Sequence, residues 1–78
     1  MDKDIARILA NGGTNASRDL TRLYEILSHH LPDETHLREG VASALAEVGL
    51  KVIQPAFDAW PALQIEFKDR LDKYGVTT

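Results

Sequence analysis

Seventy-eight residues without a cysteine allow one thin core and exclude disulfides, iron–sulfur clusters and thiolate zinc sites as its support. A composition that is 44% hydrophobic and 27% charged is that of a folded domain rather than a disordered chain. The formal net charge of −3 is repelled by phosphate backbones and anionic lipid, so it disfavours nucleic acid and membranes as partners and suits a basic protein.

That charge is unevenly placed. Up to Leu31, Asp2, Asp4, Asp19 and Glu25 cancel Lys3, Arg7, Arg18 and Arg22, so all the excess acid lies from Pro32 onward. No run approaches the ~20 apolar residues of a membrane-spanning helix. The opening MDKDIARILANGG interrupts its apolar positions with charge, unlike a secretory signal. The chain is therefore expected to be cytoplasmic, with residues 1–78 forming a single helical domain.

In chain order, Asp2 to Ala10 reads as a short first helix with Ile5, Ile8 and Leu9 on one face. Asn11-Gly12-Gly13 is expected to end it, because glycine readily takes the left-handed backbone of a helix C-terminus. The same glycine pair lacks the Lys-Ser/Thr and the preceding strand of a phosphate loop. Ser17 is placed as the N-cap of a second helix reaching Leu31, with Leu20, Leu23, Tyr24, Leu27 and Leu31 as its core stripe. Pro32-Asp33 breaks the chain, and Asp33 or Thr35 is expected to cap the next helix.

Leu37 to Leu50 is the segment that reads as the centre of the bundle. Leu37, Val41, Ala44, Leu45 and Val48 share a face, and small residues flank it, so neighbours can approach from several sides. Gly49-Leu50 is expected to close this helix in a left-handed cap. Lys51 to Gln54 then reads as a short extended link. Pro55 begins a brief helix to Ala59, and Pro61 begins a last helix to Tyr74 with Leu63, Phe67, Leu71 and Tyr74 on its inner face. Glu66 and Arg70 form a favourable four-residue pair, Ile65 faces away from the core, and Gly75-Val76 repeats the stop signal.

The residues that could carry chemistry are few. His29, His30 and His36 lie near Asp33 and Glu34, but in no metal-ligand spacing, and adjacent histidines on a helix point to different sides. Ser28 beside His29 is sequence adjacency that does not align a hydroxyl with a ring nitrogen. The expectation is no catalytic residue, no metal and no cofactor. Val41 to Leu50 resembles the first helix and glycine turn of a helix-turn-helix, and the alternative reading is a DNA-binding regulator using residues 41–53. Against it, Pro55 would break the groove-reading helix, and Lys51 is the lone basic residue between Arg38 and Lys68.

These readings converge on an all-α fold: a small compact bundle of four main helices plus a short helical turn, with the central helix at about 37–49. The expected function is a non-catalytic protein–protein interaction module such as an inhibitor, immunity-type antagonist, adaptor or small regulator. Val52, Ile53, Phe57, Trp60 and Ile65, at an apolar corner in the acidic half, are the candidate contact residues for a protein partner and for a homodimer.

Overall fold

Asp2 starts the first helix. Its Oδ1 accepts a hydrogen bond from the backbone N–H of Ile5 at 2.8 Å, which satisfies one of the free donors of the first turn. In the computed structural model, which describes residues 1–75, helix α1 then runs without interruption from Lys3 to His30. After the Pro32 turn, α2 spans Thr35–Val48, a π-helical turn spans Gly49–Ile53, α3 spans Gln54–Ala59 and α4 spans Pro61–Tyr74. The fold is all-α, with no strand among the described residues.

The structure corrects several sequence expectations. Gly12 and Gly13 do not stop a helix, and Ser17 does not cap one; all three lie inside α1. The physical reason is packing. Gly13 is buried, and a Cβ placed on it would stand 2.6 Å from Ile53 Cγ1 and 3.5 Å from Val52 Cγ1, so its bare backbone is where α1 meets the π-helical turn. Two glycines in a helix cost roughly 2 kcal/mol against alanine, and this close approach offsets that cost.

Gly49 is not a left-handed cap either. Its backbone sits at φ −61°, ψ −50°, ordinary right-handed helix. Lys51 to Gln54 is likewise not extended: Gln54 is at φ −60°, ψ −44°, and its N–H reaches back five residues to the Gly49 carbonyl. The wide turn lies just before Pro55, which has no N–H to give the carbonyl four residues back and whose ring would crowd it. Residues 35–59 thus form one rod with a bulge that absorbs the proline. Gly49→Ala is expected to raise stability by about 0.5–1 kcal/mol, because no atom lies within 4 Å of the added methyl and alanine favours helix. Chemical denaturation measures it; a loss of stability would put Gly49 in a left-handed cap instead.

The proline and glycine signals further along hold. Trp60, before Pro61, leaves the helical region at φ −139°, ψ 82°, so α3 ends there and α4 begins at the proline. Gly75 ends α4 at φ 72°, and its N–H bonds the Leu71 carbonyl. Val76, expected to complete that stop, lies outside the described residues. Neither Asp33 nor Thr35 caps α2 through its side chain; Glu34 holds the N-cap position.

The largest correction concerns the centre. Helix α2 contains no buried residue, and its expected core face, Leu37, Val41, Ala44, Leu45 and Val48, is half-buried at most. The buried cluster is Ala6, Ala10, Ala56, Leu63 and Phe67, with Leu9 and Phe57 packed against it. It lies where the N-terminal half of α1 meets α3 and α4. The organising element is therefore α1, whose small residues Ala6, Ala10, Gly13 and Ser17 recur at four-, three- and four-residue steps along the side that the other elements approach. Leu71 and Tyr74, expected in the core, are exposed.

Candidate protein-contact surface

Helices α1 and α2 form an antiparallel hairpin, and α4 folds back over one side of its open end. Two interactions hold α4 there. Leu63 and Phe67 drop into the space left by Ala6, Ala10 and Ala56, and Phe57 meets Phe67 edge to face, with ring centroids 5.5 Å apart and planes at 76°. Beside them Glu66 accepts from Arg7 Nη2 of α1 at 3.1 Å and from Arg70 Nη2 at 2.9 Å. These ion pairs are about a third exposed, so they orient α4 more than they stabilise it.

The five candidate contact residues do not share one patch. Val52 and Ile53 are half-buried and face Gly13. Phe57 is half-buried against Phe67, and with Ile53, Phe67, Leu71, Thr14 and Lys68 it lines an open apolar groove of about 360 Å³. Trp60 is more exposed, and its indole N–H donates to the Met1 carbonyl at 3.0 Å, which ties the N-terminus to the α3–α4 corner. Ile65 is 65% exposed, on the side of α4 opposite Leu63 and Phe67, as its position in the sequence implied.

Sequence reasoning missed the larger apolar surface. From Thr14 to Pro55 not one residue is buried, although this stretch holds the stripes expected to be core. Leu20, Leu27, Val41, Ala44, Leu45 and Val48 along the hairpin seam are half-covered, and Leu23, Ile26 and Leu37 are about half exposed. Two helices side by side make a single layer with no interior; the described chain as a whole, α4 included, spans 43 × 26 × 13 Å. The available signal was α1 read as one helix, which joins Ile5 and Ile8 to Leu23 and Ile26 in one continuous stripe.

The chemical clusters stay apart. Among the described residues no three histidine, aspartate or glutamate side chains come close enough to hold a metal ion. His29, His30 and His36 are exposed, and His36 Nδ1 lies 4.0 Å from Glu39. The helix-turn-helix reading needs two helices crossing at a turn near Gly49, where the backbone stays helical through to Ala59; Lys51 within that stretch pairs with Glu47 at 2.7 Å. No helix among the described residues is long and apolar enough to cross a membrane. Set beside known proteins, the chain matches no family model, no curated protein and no solved structure.

Proposed function

We propose that this chain is a non-catalytic protein–protein interaction module, an inhibitor, antagonist, adaptor or small regulator, that works as a homodimer. One observation carries the reading: from Thr14 to Pro55 the hairpin and the turn after it present their apolar side chains and bury none of them. Monomeric proteins rarely leave large contiguous apolar surface uncovered, and such surface most often meets another protein. The acid concentrated after Pro32 favours a basic partner at the C-terminal half, where Trp60 and Ile65 remain exposed.

Affinity capture from native lysate, with and without nuclease and read by mass spectrometry, tests the proposal. A stoichiometric protein should survive nuclease, and Ile65→Asp should weaken its capture. Recovery that depends on intact nucleic acid would overturn the reading.

A further inference from the structure

We infer that the apolar face of the α1–α2 hairpin, on the side away from α4, is covered by the same face of a second copy of this chain, with the two α1 helices antiparallel about a two-fold axis near Ser17–Arg18. The inference deepens the homodimer reading above by naming its surface and symmetry.

The face follows from helix geometry. One residue turns the α-helix by 100°, so the side of α1 opposite Ala6, Ala10 and Arg7 carries Ile5, Ile8, Gly12, Ala16, Leu23 and Ile26. Asp19 and His30 are the polar positions within that stripe. Ile8 is 64% exposed, and Ile5, Leu23 and Ile26 are each close to half exposed. Helix α2 runs antiparallel to α1, and by the same geometry Leu37 and Ala44 sit on this side of the seam. The other side of the hairpin is different: beyond α4 it carries Thr21, Glu25 and Ser28 of α1 with Arg38 and Glu39 of α2. One side is suited to water and one to a partner.

Three observations select a second copy as that partner. The first is shape. Gly12 and Ala16 leave a shallow place in the stripe, and Leu23 and Ile26 stand out from it. Gly12 and Leu23 are equally far in sequence from the point between Ser17 and Arg18, so a two-fold axis there lays Leu23 of each copy over Gly12 of the other. A ridge and a gap related in this way are self-complementary, as an isologous interface requires. The second is charge. Asp19, which the axis sets near its own copy, is the one acidic position on the face and has Arg22 three residues on to offset it; over α1 as a whole the charges cancel up to Leu31, whereas the acidic residues of α2 would attract a basic surface at the rim. The third is size. The broad side of the whole chain is 43 by 26 Å, which bounds the face at on the order of 1,000 Å², against ~800 Å² per partner in a standard interface. Two such layers face to face make a four-helix arrangement and give the hairpin the interior it lacks.

Sedimentation equilibrium on the purified full chain across a concentration series tests this. The expected mass is twice the 8.7 kDa of the chain. Leu23→Glu should weaken association by on the order of a hundredfold, because it replaces the ridge over Gly12 with a second carboxylate on a face that already carries Asp19. Gly12→Glu is the companion that separates association from folding. It fills the gap from a position with no neighbour within 4 Å in the single chain, and it replaces the weakest helix former but proline with a good one. Its far-UV circular dichroism should stay helical while its mass falls to that of one chain. Ile65→Glu, on the far side of α4, should leave the mass doubled.

A wild-type chain that stays at 8.7 kDa at every concentration, or a mass above two chains, would overturn the inference. So would dissociation by Ile65→Glu with Gly12→Glu unaffected. A monomer that is nevertheless captured with a stoichiometric foreign protein sinks the second copy and leaves the interaction-module reading standing; a monomer that captures nothing sinks both.

Discussion

Phe67→Ala is expected to lower the stability of the fold by about 3–5 kcal/mol, the largest effect of any single truncation in the chain. Phe67 is 5% exposed, it closes the buried cluster over Ala6, Ala10 and Ala56, and its ring is the partner of Phe57. The neighbours cannot easily fill the space. Three of them are alanines with no rotamer to swing inward, and Leu63 is already fully buried. A domain of this size commonly has only ~3–5 kcal/mol in hand, so the variant should lose its cooperative unfolding transition near room temperature. Urea titration followed by Trp60 fluorescence and by circular dichroism reads the loss at the α3–α4 corner and over the helices together. Leu71→Ala, four residues on along α4 but half exposed, should cost less than about 1 kcal/mol. Similar effects at the two positions would mean that the cluster is not the core.

Gly13→Ala and Gly12→Ala should act in opposite directions although the residues are adjacent. Both gain about 1 kcal/mol of helix propensity. At Gly12 the new methyl meets nothing within 4 Å, so the gain stands in the folded protomer. At Gly13 it meets Ile53 Cγ1 at 2.6 Å and Cδ1 at 3.3 Å. The Cγ1 carbon is attached directly to a branched Cβ with restricted χ1, so it cannot swing aside as the end of a long side chain would. Overpacking of this kind costs typically 1–3 kcal/mol, and the net effect should be a loss of about 1–2 kcal/mol. The decisive control is the double variant. With Ile53→Ala the obstructing carbons are gone, and Gly13→Ala in that background should become stabilising. This change of sign measures the coupling between α1 and the π-helical turn. Additive effects would show that Gly13 and Ile53 are not in contact.

The same two residues explain why part of the fold was legible in the sequence and part was not. The break after Leu31, the brief helix at Pro55, the corner at Trp60-Pro61, the extent of α4 and its stop at Gly75 were all readable. Each rests on a restriction that acts on the residue itself or its neighbour: proline fixes its own φ and crowds the residue before it. The exposure of Ile65 and the burial of Leu63 and Phe67 followed from 100° spacing alone. Gly12, Gly13 and Gly49 could not be read in this way. A glycine permits left-handed and right-handed backbone alike, and the difference of about 1 kcal/mol per residue is small enough for one packing contact to reverse. Gly75 ends a helix in the left-handed region, with no packed atom within 4 Å of where its Cβ would stand; Gly13 continues one because Ile53 and Val52 sit where a side chain would be.

The candidate surface shows the same division. The apolar stripes of α1 and α2 were plain in the sequence, and periodicity located their residues. Whether a stripe is core or surface depends on how many layers the chain supplies, and that is a property of the tertiary structure. Splitting α1 at Gly12-Gly13 yields enough helices to cover Leu37 to Leu50 on several sides. Joining it yields a single layer with one flank covered by α4, and the residues expected at the centre become the open face. By itself, then, the sequence determined the helical class, the proline corners and the apolar faces, because those depend on interactions within a few residues. Only the tertiary structure decided that α1 is continuous and that the hairpin is left open, because both turn on what packs against a glycine forty residues away.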